Sequence, residues 1–232
     1  MTPGHLVLAY HGCDAVTRDD LVSRRLGALD HSQNEYDWLG PGTYFFEDDP
    51  QRAMNFAVQS ANNPGELYTQ RPIVTPAVVG AVLCLTSCLD MTTQAGLTEF
   101  QLTLDVLRAS GAPLAQNDPR RPLLRKLNNE VFTALHGFRE KQHTPEDPFP
   151  PYQVVRGAFM QGDPLGDEHS GFSRHGHIQL AVRDPRAIVG WFIPDPDRLM
   201  DPAEYQTARE ALANAPTGQA RKPRRRAGSP GP

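Results

Sequence analysis

The stretch GPGTYFFEDDPQRAMNFA, residues 40–57, decides how the rest of the chain is read. Its opening Gly40-Pro41-Gly42 is a rigid corner, and the aromatic, β-favouring run TYFF that follows reads as a short strand. Asp49-Pro50 then begins a helix, with a carboxylate as N-cap and a proline whose missing N–H costs nothing at the first position. Glu47, Asp48 and Asp49 sit where the helix dipole favours negative charge. A strand pinned between a rigid corner and a capped helix holds one aromatic, Tyr44, in a fixed place.

Upstream of this stretch, LVLAYHG (6–12) reads as a strand, and Thr17 is placed to cap a short helix through Arg25, with Gly27 just past its end. Downstream, AVVGAVLCLT (77–86) reads as a buried strand. A helix is expected from Thr98, with Phe100, Leu104 and Leu107 on one face and Gly111 as terminator. Leu124, Leu127, Val131 and Leu135 mark another amphipathic helix. Three strand candidates crowd the late chain: QVVRGAF, HIQLAVRD and AIVGWFI. Residues 203–213 suit a last helix, and the Pro-, Gly- and Arg-rich sequence beyond Pro216 suits disorder. Strands dispersed among helices imply an α+β fold. The chain is expected to hold one domain, residues 1–215, and a basic tail, residues 216–232.

Charge narrows the function classes. The formal net charge is −4, yet the stretch Arg221–Arg226 carries five cations (Arg221, Lys222, Arg224, Arg225 and Arg226), so the rest stands at −4 − 5 = −9. An acidic body excludes a broad phosphate-binding surface, and the tail offers nucleic acid a weak contact at most. The N-terminal MTPGHLVLAYHG lacks a basic leader and a long apolar run, and no stretch approaches membrane-spanning length. Cys13, Cys84 and Cys88 form neither an even disulfide set nor a CxxC pair, which fits reduced thiols in the cytoplasm.

Three pieces in order ask for one explanation: His11-Gly12 ending the first strand, the Gly-x-Gly-x-Tyr-Phe run of residues 40–45, and Gln179-Leu180-Ala181-Val182-Arg183-Asp184 in a late strand. The first two resemble motifs of the ADP-ribosyltransferases of the diphtheria-toxin and poly(ADP-ribose)-polymerase type. Ala53 stands where that family has a small residue in the first turn of the following helix. The region from VVRGAF through AIVGWF also resembles a widespread set of bacterial proteins with no assigned activity. The resemblance implies the family's fold, two packed and mostly antiparallel sheets with flanking helices. It implies NAD as substrate and no metal. It assigns the His11 imidazole to the adenosine ribose hydroxyls, the Gly12 N–H and C=O to the nicotinamide carboxamide, and Tyr44 to stacking on the nicotinamide ring. Phe56 is the candidate for a second aromatic one turn into the helix, with Asn55 there if the register slips by one. Phe56 reads equally as core.

Polymerising members carry a glutamate where this chain has Gln179. A neutral amide stabilises a developing sugar cation less than a carboxylate does, a difference of a few kcal/mol. The resemblance therefore implies a mono-ADP-ribosyltransferase acting on a protein or nucleic-acid acceptor, with a catalytically weak or inactive NAD or ADP-ribose sensor as the alternative. Its catalytic set is His11, Tyr44 and Gln179. Strand alternation puts His177 and Gln179 on one face, next to a polar loop (166–176) suited to target recognition. His169, His175 and His177 with Asp167 and Glu168 match no established zinc spacing. A Cys13–His11 nucleophile pair lacks a third group to orient the histidine.

Overall fold

A computed structural model describes residues 4–65, 71–121, 123–144, 146, 150–167 and 169–195, together with 203, 207, 210 and 214. The first strand, β1 (His5–Asp14), leads into α1 (Ala15–Val22), followed by β2 (Thr43–Glu47) and α2 (Pro50–Asn62). Next come β3 (Pro76–Leu85), β4 (Cys88–Asp90), α3 (Gln94–Ala109) and α4 (Lys126–Gln142). The late strands are β5 (Val154–Phe159), β6 (His177–Val182) and β7 (Ile188–Phe192), with a short 3₁₀ turn at Pro185–Ala187 between the last two. Ala203, Thr207 and Glu210 are helical; the basic tail expected at 216–232 lies outside the described residues.

The local chemistry read from residues 40–57 recurs in three dimensions. Gly40 turns the corner at φ +81°, and the Asp49 carboxylate accepts the Arg52 N–H at 2.8 Å to cap α2 behind Pro50. Two helix starts differ from expectation. The α1 cap is Asp14, whose carboxylate accepts the Val16 N–H; Thr17 lies inside the helix, and the chain leaves it at Arg24 with φ +61°. Thr93 caps α3, so that helix begins four residues before Thr98. In both cases an oxygen-bearing side chain nearer the strand end wins the cap because it reaches the first free N–H groups.

All seven strands of the described residues form one mixed sheet in the order β4-β5-β6-β2-β1-β3-β7. Every neighbouring pair is antiparallel except β4 with β5. This corrects the expectation of two packed sheets, and the cause is a short joint. β1 and β3 pair along ten positions, but β1 and β2 pair only at Ala9↔Glu47 and Tyr10↔Phe46. Those two pairs weld β4-β5-β6-β2 to β1-β3-β7.

Helices cover one face on either side of the joint. α3 and α4 bury Phe132 and Leu135 against Leu89, Val155 and Ala181. α2 presents Pro50, Ala53, Ala57 and Ser60 to β1 and β3. Its small residues allow close approach: a Cβ on Gly12 would lie 2.2 Å from the Ala53 carbonyl oxygen and 3.2 Å from the Ala57 Cβ. The opposite face packs Ala9, Phe45, Leu83, Val154 and Leu180 beneath Ala187 and Trp191, with α1 adding Leu21 beside Cys13 and Val79.

Candidate functional site

The joint between β1 and β2 is where the candidate residues meet. Leu8 accepts the Asp48 N–H through its carbonyl, so the even-numbered residues of β1 aim their peptide groups at β2. Continuing the Tyr10↔Phe46 register would set Gly12 opposite Tyr44, but the ladder ends before that pair. The Tyr44 carbonyl is instead satisfied by the His11 Nδ1, at 2.8 Å. His11 thus acts as a wedge, and Gly12 lies just past the last β1–β2 pair.

This contact also fixes the imidazole. A carbonyl can only accept, so His11 carries its proton on Nδ1 when neutral and leaves Nε2 as an acceptor. Burial pulls its pKa below the ordinary value, outweighing the opposite pull of the Tyr44 carbonyl, so the neutral form holds at pH 7. The edge thereby sets one ring acceptor beside the Gly12 peptide, within two consecutive residues.

His11 and Tyr44 project from opposite faces of the sheet. His11 lies with Phe45, their rings 5.7 Å apart. Tyr44 lies with Phe46 and packs against the α4 cluster. Its hydroxyl donates to the Gly40 carbonyl at 2.7 Å and accepts the Leu39 N–H at 3.1 Å. Burial, followed by the charge of Asp37, holds that phenol far above its ordinary pKa. The corner and the aromatic therefore brace each other. Tyr44→Ala is expected to cost about 3–5 kcal/mol through the cavity it leaves, so loss of ligand binding in that variant has to be read beside its unfolding curve.

On the Tyr44 face one row crosses the sheet: Gly157, Gln179, Phe46, Tyr10 and Gly80, on β5, β6, β2, β1 and β3. Arg52 of α2 sits 5.0 Å over the Phe46 ring and donates to Gln161 at 2.7 Å, tying the helix to the loop before β6. Phe56 packs 6.3 Å from Phe46 within the cluster of Tyr10, Ala53 and Val78. Asn55, its neighbour, accepts a hydrogen bond from Gln51. His177 packs edge-on to Phe46 at 4.8 Å and hydrogen-bonds the His175 carbonyl through Nδ1 at 2.7 Å. Its Nε2 is buried without a hydrogen-bond partner, and burial pulls its pKa down to about 4.

Gln179 reaches away from the joint. Its Oε1 accepts the indole N–H of Trp38, a residue from the polar segment before the corner that sequence reasoning missed. A tryptophan in otherwise turn-rich sequence was the available signal. Trp38 and Leu39 also line an apolar cleft of about 340 Å³ with Met91, Leu97, Phe100 and Phe132. Glu47, the nearby carboxylate, is unsuited to the role Gln179 leaves. It faces the other side of the sheet in a two-pronged ion pair with Arg156, at 2.6 and 3.2 Å. Burial raises the Cys13 thiol to about 12, so at neutral pH it is no nucleophile beside His11. Among the described residues no group of three or more His, Cys, Asp or Glu could hold a metal ion.

Comparison of the chain with protein-family models, curated proteins and solved structures finds no match.

Proposed function

We propose that the joint between β1 and β2 is an NAD site in an ADP-ribosyltransferase-like fold, and that the chain transfers a single ADP-ribose to an acceptor. The observation that carries this reading is the interrupted ladder, where the Gly12 peptide lies just past the last β1–β2 pair beside a tautomer-fixed imidazole acceptor. A carboxamide both donates and accepts, which suits the Gly12 N–H and C=O. A ribose hydroxyl donates, which suits the His11 Nε2. In the reaction the C1′–N bond breaks with its electron pair going to the pyridinium nitrogen. A lone pair of the acceptor closes on C1′, and the acceptor's proton leaves to water. Residues on both faces contribute, because a ligand seated at the joint has His11 on one side and the Phe46–Gln179 row on the other. Occupation of the Gln179 oxygen by Trp38 favours a second reading, an NAD or ADP-ribose sensor with little turnover.

Thermal shift with NAD tests the site, and liquid chromatography of released nicotinamide tests the reaction. His11→Asn is the informative variant. An asparagine amide nitrogen replaces Nδ1 against the Tyr44 carbonyl, while nothing replaces Nε2. NAD affinity is expected to fall about tenfold, the worth of one hydrogen bond of about 1.4 kcal/mol, with the ligand-free melting temperature nearly unchanged. Undiminished NAD stabilisation in His11→Asn removes His11 from the site.

A further inference from the structure

We propose that Trp38 is a positioning residue that decides which end of the Gln179 amide faces the ligand, an inference that rests on the NAD reading of the joint. The indole N–H can only donate, so the Gln179 atom it meets is the carbonyl oxygen. Trp38 approaches from the β5 side. Its ring lies over Gly157, the cross-strand partner of Gln179, so closely that a Cβ there would come within 2.7 Å of the indole Cη2. Phe159 backs the indole at a ring separation of 4.7 Å. β5 and β2 flank β6 on opposite sides. The oxygen is therefore drawn away from the joint, and the amide N–H pair on the same carbon turns toward β2.

This orientation has a chemical consequence. An N–H pair binds oxygen atoms of a ligand, but its positive end opposes the positive charge that builds on the sugar as nicotinamide departs. Trp38 thus holds the resting site in a form that binds NAD and assists its cleavage poorly. With the indole donor gone, the amide rotates and offers its oxygen to the ribose hydroxyl instead.

Trp38→Phe removes the donor and keeps an aromatic over Gly157. Nicotinamide release is expected to rise about tenfold, equivalent to one hydrogen bond gained as the glycosidic bond breaks, with NAD affinity changed less than about twofold. In a Gln179→Ala background the same substitution is expected to change neither quantity. A fall in turnover, no change, or an equal rise in both backgrounds overturns the proposal. A readout without NAD separates its failure from failure of the NAD reading. The chain has two tryptophans, so two indole N–H resonances appear in a nitrogen-15 spectrum. Gln179→Leu is expected to move the Trp38 resonance and speed its exchange with solvent. If no variant binds NAD, the joint is not an NAD site, and an indole resonance that stays put in Gln179→Leu overturns the positioning role itself.

Discussion

Gly12→Ala is expected to destabilise the protein by more than about 3 kcal/mol, at the upper end of what overpacking costs, because the new methyl has nowhere to go. It would lie 2.2 Å from the Ala53 carbonyl oxygen, a backbone atom held in the first turns of α2. Relief requires α2 to lift off β1, and that exposes the cluster of Tyr10, Phe46, Ala53 and Val78. Urea unfolding of the variant measures the loss directly; a midpoint within error of the parent protein refutes the packing account. The same result governs how ligand data are read. The glycine is demanded by the helix whether or not a carboxamide also binds its peptide, so lost NAD binding in Gly12 variants reports the fold first. His11→Asn is the cleaner probe for that reason.

A steep loss of stability is expected between pH 6.5 and 4, chiefly from buried His136 and part-buried His177, with His11, also lowered by burial, adding in the same direction. His136 on α4 is 2% exposed, neither ring nitrogen has a hydrogen-bond partner, and burial, aided by the charges of Arg183 and Arg139, pulls its pKa down to about 3. Burial brings His177 to about 4, against the raising pull of the His175 carbonyl; Arg52 and His175 add to the lowering, and Asp49 opposes it. In the unfolded chain each takes a proton near pH 6.5, whereas in the fold each stays neutral until about its own lowered pKa. The unfolded state therefore binds more protons throughout the window. Stability is fully present above pH 6.5 and falls as the pH drops, by about 1.4 kcal/mol per unit for each group. Between pH 7 and 5 the two together cost about 4 kcal/mol. Acids with lowered pKa, such as Asp184 at about 2 beside Arg186, act with the same sign only at lower pH. Buried Asp37, raised by desolvation, opposes the trend. Denaturant titrations at pH 7 and pH 5 measure the drop. His136→Leu is expected to shrink it by about 2 kcal/mol and to match or exceed the parent at pH 7, since two unpaired buried ring nitrogens disappear. An unchanged slope in His136→Leu removes His136 from the account.

Residues whose placement depends on near neighbours were legible in the sequence. The Asp49-Pro50 start of α2, the TYFF strand and the alternating β6 follow from capping chemistry and side-chain period alone. Harder to read was anything set by partners distant in the chain. Three-residue β4 has too few side chains to show a period, and it exists because β5 accepts it in parallel. The single sheet depends on two residue pairs that no local pattern announces. His11, Gly12 and Tyr44 were found together by their order, but the splitting of His11 and Tyr44 between faces follows from register, which a motif does not encode. Trp38 stayed hidden because its partner, Gln179, lies 141 residues away.

The narrow weld between β1 and β2 has a dynamic consequence. A sheet with ten paired positions on its β1–β3 seam and only two on the β1–β2 seam that joins its halves does not loosen uniformly. Amide hydrogen exchange is expected to divide it into two cooperative blocks, β1-β3-β7 and β5-β6-β2, each opening with its own free energy. The Tyr10 and Phe46 amides should exchange through a cheaper event than either block, the parting of the seam. A molecule wedged at the seam would slow those two amides first and most, reporting its own arrival.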